Sequence, residues 1–197
     1  YSAPYSNLRL IKGSIPKGKE QFIVKASMTD PAYQAAWDLE YYILNAGIKI
    51  ENRATTLRKM ELEGRKVEEN RTVFFTQKSP SIARIVYKTN HVSNNLFAEH
   101  LLNEVGKKRN NEGSNYAGAL AVKNFWSKRI NTSGMYVSDG SGMSRMNAVS
   151  AYHLTSILRY MKKSKNYKSF YTSLPIAGKS GTMSRIGRKT YASGRLR

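Results

Sequence analysis

Asp139-Gly140-Ser141-Gly142-Met143-Ser144-Arg145-Met146-Asn147 is the stretch on which the interpretation of this chain turns. Alone it is a tight loop flanked by Gly140 and Gly142. A second glycine loop follows, Ser173-Leu174-Pro175-Ile176-Ala177-Gly178-Lys179-Ser180-Gly181-Thr182-Met183. Upstream, Ser93-Asn94-Asn95 opens a helix that continues Leu96-Phe97-Ala98-Glu99. A serine there is explained by N-capping alone. The three segments in this order are far more specific than any one of them.

Outward from these segments, the pattern mixes helices and strands without regular alternation, which favours an α+β chain. Residues 7–28 alternate apolar and polar about a Pro16–Gly18 turn, predicting two strands. Asp30-Pro31 supplies an N-cap and a first-turn proline. Tyr33, Ala36, Trp37, Tyr41 and Leu44 keep helical spacing up to Gly47. Ile48 and Ile50 suggest a short strand, 51–70 an exposed linker, and 71–77 another strand. Ser79-Pro80 predicts the start of the next helix. Further helices are expected from Ser93 to Gly106, from Asn115 to Arg129, and over 148–163. Met135–Val137 look like a short strand.

The chain has 197 residues, 33 Lys plus Arg against 13 Asp plus Glu, and a net charge of +20. A chain of this size buries roughly 70% of its unfolded surface. Aromatics reach 11%, with 13 Tyr, which excludes a charge-driven disordered polymer. No apolar run approaches the ~18 residues of a membrane span. The absence of Cys excludes disulfides, zinc–cysteine sites and thiol nucleophiles. The chain begins at Tyr1 without a signal-peptide pattern, and reads as a processed product or a piece of something longer. The charge favours an anionic partner. Its cations are spread out, with no zinc-finger spacing, RNA-binding aromatic motif or basic helix leading into heptads, so no specific nucleic acid is implied.

Two other chemistries fail on spacing. Gly178-Lys179-Ser180 resembles the end of a phosphate-binding loop, but the earlier glycine that such a loop needs is replaced by Ser173. His91, His100 and His153 do not pair at metal-binding spacing, so no metal is expected. His100 falls on an apolar helix face and reads as a core histidine.

The combined motifs resemble the low-molecular-mass class C penicillin-binding proteins, the D-alanyl-D-alanine carboxypeptidase/endopeptidase family. The resemblance implies the helical part and incomplete antiparallel sheet of a serine penicilloyl-transferase (β-lactamase-like) domain. Before it would come the end of an inserted, mostly β domain. Residues 1–50 would belong to that accessory domain and 51–197 to the transferase domain, truncated before its last strands. Thr29-Asp30-Pro31-Ala32-Tyr33 and Ala46-Gly47-Ile48 resemble the inserted segment.

In that family a serine one helical turn before a lysine forms an ester with the substrate acyl group, which water then hydrolyses. The resemblance makes Ser93 the hydroxyl of the proton relay and Asn95 the amide that holds the substrate amide. Ser141 and Met143 would line the pocket. Met143 replaces the family's leucine. The implied substrate is the peptide stem of peptidoglycan, at a D-Ala-D-Ala terminus or cross-link, with β-lactams as ligands of the full-length enzyme. No cofactor is implied, and the expected location is the periplasm or cell envelope.

Two departures stand out. Ser14-Ile15-Pro16-Lys17 has the nucleophile spacing, but Pro16 and Gly18 place it in a turn. Lys179-Ser180-Gly181-Thr182 looks like the family's Lys-Thr-Gly box but stands in the segment that precedes it. Gly194-Arg195-Leu196-Arg197 resembles the lead-in to the true box. Both departures predict that this chain alone is inactive. The alternatives are a non-catalytic wall- or polyanion-binding protein with the same fold, and then a basic nucleic-acid-binding domain.

Overall fold

The structure is a computed structural model. It describes residues 5, 6, 10–18, 20–24, 26–67, 70, 72, 73 and 75–197. The chain divides into two compact units, Tyr1–Thr76 and Gln77–Arg197.

In the first unit, α1 spans Pro31–Asn45. Asp30 caps it by accepting from the Tyr33 N–H at 3.0 Å, and Pro31 occupies the first turn, where its missing N–H costs nothing. Gly47 leaves the helix with φ +79°, a conformation that glycine adopts without a Cβ penalty. Glu40 is buried on α1 and accepts from the Ala54 N–H at 2.8 Å and from Arg53 at 2.9 Å, which ties the following loop back to the helix. A short helix, α2, spans Leu57–Leu62 under a Thr56 cap. Arg58 pairs with Asp30 at 2.9 Å, and its guanidinium lies 3.8 Å from the Tyr5 ring centre. The sequence predicts a linker here. Six residues are too few to show periodicity, and this helix is anchored by charge and an aromatic face instead.

The second unit begins with α3, Ile82–Val92, capped by Ser81 rather than by Ser79. Next come α4, Asn95–Asn110, α5, Asn115–Ser127, and α6, Ala151–Lys162. The unit ends with α7, Tyr167–Ser173, and a 3-10 turn, Gly181–Met183. The α4–α5 pair packs closely because Gly106 and Gly118 face each other. A Cβ on Gly106 would fall 2.6 Å from the Gly118 nitrogen. Leu102, Ala117 and Ala121 are buried on these two helices. Phe125, Trp126 and Tyr160 form an edge-to-face cluster between α5 and α6, with Arg129 3.7 Å from the Phe125 ring centre. Buried His153 completes the α6 cap: its Nδ1 accepts from the Ser150 N–H at 3.1 Å while Ser150 Oγ accepts from the His153 N–H.

The predicted strands are not found among the described residues. Among the described residues the β-structure is a single antiparallel bridge, Tyr136 to Ala148, with hydrogen bonds of 2.8 and 2.9 Å. The strand pair over 7–28 and the strand over 71–77 fall partly outside the described residues. Within the described part, Ile11, Ile23, Val24, Val73 and Phe75 are exposed. The period-two pattern is present, but no neighbouring strand among the described residues pairs with it. A lone strand has no ladder to stabilise it. Ile48 and Ile50 are likewise outside any strand. His100 is exposed as well, beside a groove of about 970 Å³ lined also by Tyr87, Phe97 and Leu101.

Candidate active site

The Ser-x-Asn segment is the junction of α3 and α4. Ser93 ends α3 in the left-handed region, φ 55° and ψ 55°, with its N–H bonded to the Thr89 carbonyl. Asn94, not Ser93, caps α4: its Oδ1 accepts from the Phe97 N–H at 3.0 Å. Asn95 is the first residue of α4. Both Ser93 and Asn95 are exposed. The Ser93 hydroxyl is therefore not consumed by capping, contrary to the simplest interpretation of a serine before a helix.

The loop that carries Ser141 and Met143 is braced from within. Asp139 accepts from the Gly142 N–H at 2.7 Å, the Ser144 N–H at 2.6 Å and Asn147 Nδ2 at 2.7 Å. Asn147 Oδ1 in turn accepts from the Ser138 N–H at 2.7 Å. The Asn147 bond does most to hold the Asp139 carboxyl below its ordinary value. Partial burial opposes it, and the loop N–H groups reinforce it.

The same loop is joined to α4. Glu99, one turn after Asn95, accepts from the N–H groups of Gly140 at 3.0 Å and Ser141 at 3.1 Å, and from Ser141 Oγ at 2.5 Å. Asn115, at the start of α5, donates to it at 3.2 Å. Burial pushes the Glu99 carboxyl up, but the Ser141 and Gly140 donors outweigh burial and the Asp139 charge, leaving it below its ordinary value. Met143 is 73% exposed at the loop tip.

The third segment reaches the same junction. Gly181 has φ +57°, and a Cβ there would run into the His91 carbonyl oxygen, two residues before Ser93. Asn90 of α3 donates to fully buried Ser173 at 2.8 Å. Lys179-Ser180 forms a turn, with Ser180 Oγ accepting from the Ile176 N–H, and Gly181 starts the 3-10 turn. The Lys179 side chain lies along Gly194. Ala177 bonds by backbone to both Gly194 and Leu196. Ser14 and Lys17 lie outside any helix and do not share a helical face. Among the described residues no cluster of three or more His, Asp or Glu side chains is placed to hold a metal ion. Among the described residues no helix is long and apolar enough to cross a membrane.

Three segments widely separated in sequence thus meet where α3 hands over to α4. The family described as D-Ala-D-Ala carboxypeptidase 3 (S13) matches residues 4–197. The chain belongs to this family. The D-alanyl-D-alanine carboxypeptidase of Actinomadura sp. (strain R39) is 26% identical over 196 residues, 96% of this chain and 35% of that protein. The S13 chain is also 38% identical over 71 residues to the D-alanyl-D-alanine carboxypeptidase DacB of Haemophilus influenzae, covering 36% of this chain and 15% of the relative. Penicillin-binding protein 4 of Haemophilus influenzae, solved in complex with a β-lactam, superposes with a TM-score of 0.56 at 25% identity. That match covers 81% of this chain and 35% of the solved one. The S13 chain therefore has a penicillin-binding-protein fold, and it spans about a third of the Actinomadura relative's length.

The sequence assigns Glu99 no role, although it bonds the Gly140–Ser141 loop from α4. It stood inside a quoted motif, but its partners lie 41 and 42 positions away, and no local pattern connects them.

Proposed function

We propose that this chain forms part of a serine-type D-Ala-D-Ala carboxypeptidase/endopeptidase that acts on the peptide stems of peptidoglycan through an acyl-enzyme. The observation that carries this reading is the convergence of Ser93-Asn94-Asn95, the Asp139–Ser144 loop and the Gly181 turn on the α3–α4 junction. In this reading Ser93 passes a proton between the nucleophile and the leaving amine. Asn95 holds the substrate amide, and Ser141 and Met143 line the pocket edge. Ser141 donates its own hydrogen to Glu99, so toward a substrate it is an acceptor. Residues 1–50 are the end of an inserted accessory domain, and 51–197 belong to the transferase domain. The location is the periplasm or cell envelope.

None of these residues is a serine one helical turn before a lysine, so the nucleophile lies outside this sequence and the chain alone does not turn over substrate. The basic surface suits an anionic wall. The test is covalent labelling by a fluorescent β-lactam with intact-mass analysis, on this chain beside the product of the whole open reading frame. One adduct on the long product and none on the chain supports the reading. An adduct on the chain itself relocates the nucleophile to these residues. No adduct on either overturns the enzyme in favour of a wall-binding protein.

A further inference from the structure

We propose that Glu99 is the positioning residue of this site: it fixes the Asp139–Ser144 loop to the first turns of α4, and so sets how Ser141 and Met143 face a substrate held at Asn95. The inference rests on the acyl-transfer reading above and assigns a role that the motifs do not.

Geometry excludes a more direct role for Glu99. Its Oε1 receives the Ser141 N–H and Oγ, and its Oε2 receives the Gly140 N–H and Asn115 Nδ2. Four donors fill the acceptor capacity of an ionised carboxylate, so no lone pair is left to take a proton from water or substrate. None of the ion pairs found among the described residues involves Glu99, although the chain carries +20. Its charge is offset by loop N–H groups, as in an anion-binding nest, rather than by a cation.

The approach is also close. A Cβ on Gly140 would strike the carbonyl oxygen of Ala98, so the loop backbone sits directly on α4. Glu99 is four residues after Asn95, about 6 Å along the helix axis. The carboxylate therefore couples the amide that holds the substrate to the loop that borders it. The loop's own brace, Asp139 with Asn147, keeps its shape but does not attach it to α4. Charge-assisted bonds to Glu99 do that.

The test uses the complete gene product carrying Glu99→Gln, with Glu104→Gln on the exposed side of the same helix as control. The amide of Gln would turn a donor toward N–H donors, so at least one loop bond breaks. The readouts are kcat and KM on a D-Ala-D-Ala peptide, the acylation rate by a fluorescent penicillin, and hydrogen exchange at Gly140 and Ser141. The expected result is KM raised about tenfold with kcat changed far less, as lost positioning predicts. Exchange at Gly140 and Ser141 should accelerate by about the same factor while the rest of α4 stays protected. Asn115→Ala, which removes one of the four donors, should give an intermediate shift and covers the case in which the Gln variant does not fold. Unchanged KM and exchange in both variants overturn the proposal. So does an equal fall of kcat and penicillin acylation in Glu99→Gln, which would make it a catalytic group. A wild-type protein that neither turns over peptide nor takes up penicillin overturns the acyl-transfer reading itself, and with it this role.

Discussion

Gly140 rests against the carbonyl oxygen of Ala98, closer than any side chain would allow. This contact brings the backbone of the pocket-edge loop onto α4, within reach of Glu99. Backbone opposes backbone here, so neither side can yield by a rotamer change.

Gly140→Ala is therefore expected to push the loop off α4 and break the Glu99 bonds. Overpacking of this kind costs about 1–3 kcal/mol. In the complete gene product, peptide turnover should fall with it, and thermal unfolding read beside kcat/KM checks both. Gly134→Ala is a useful contrast. An added Cβ there meets nothing within 4 Å, and the strain is only that of its φ of +74°. Its effect on turnover should be small.

Ser173 is fully buried and donates to the Phe170 carbonyl at 2.6 Å while accepting from Asn90 Nδ2 at 2.8 Å. Ser173→Ala leaves Asn90 without that partner and should cost about 1–3 kcal/mol. Because this bond links α3 to α7, the loss should appear as faster amide exchange in both helices. A double variant with Asn90→Ala should cost less than the sum of the two singles. Additive costs would show that the pair is not coupled.

What was legible in the sequence follows from how local the signal is. Asp30-Pro31 and Gly47 announce helix ends because a cap needs only neighbouring residues. Ser79-Pro80 misleads by two positions, since Ser81 is the serine whose oxygen reaches an N–H three residues on. The helix Tyr167–Ser173 was missed because its end is fixed by Asn90, 83 positions away. The strand patterns failed for the converse reason: Ile11 and Ile23 are exposed and meet no partner strand among the described residues. Within the candidate site, motif order points to Ser93, Asn95, Ser141 and Met143. The bonds from Gly140 and Ser141 to the Glu99 carboxylate exist only once the chain is folded.

The carboxyls of Asp139 in the loop and Glu99 on α4 are expected to contribute to stability against acid. Asp139 and Glu99 both lie below their ordinary values of 3.8 and 4.5, held there by donors that favour the charged form. A carboxyl lowered by folding contributes stability that is fully present above the unfolded value and is lost as pH falls through the folded one. Wild type should therefore exceed Glu99→Gln in Tm at neutral pH, and the gap should close as pH drops below 4.5. A gap that stays constant down to pH ~2 would falsify an electrostatic origin for the tether.

Ser93 separates function from stability most cleanly. A serine at φ 55° occupies a conformation that costs roughly 1 kcal/mol for a residue with a Cβ, and strain of this kind is held where surrounding structure and function require it. Since Asn94 supplies the cap, Ser93 contributes no capping bond to α4. Ser93→Gly should keep α4 intact and leave Tm unchanged or raised by a few degrees, as glycine relieves the left-handed strain. Asn94→Ala should lower stability by about 1 kcal/mol through loss of the cap. In the complete gene product the order of activity should reverse. Ser93→Gly should lose about a hundredfold in kcat through the missing relay hydroxyl, whereas Asn94→Ala should retain most of it. Stopped-flow acylation with a fluorescent penicillin, beside calorimetry on the same samples, distinguishes the two. If Ser93→Gly is both as stable and as active as wild type, the serine is only a helix terminus, and the relay must be sought elsewhere in the molecule.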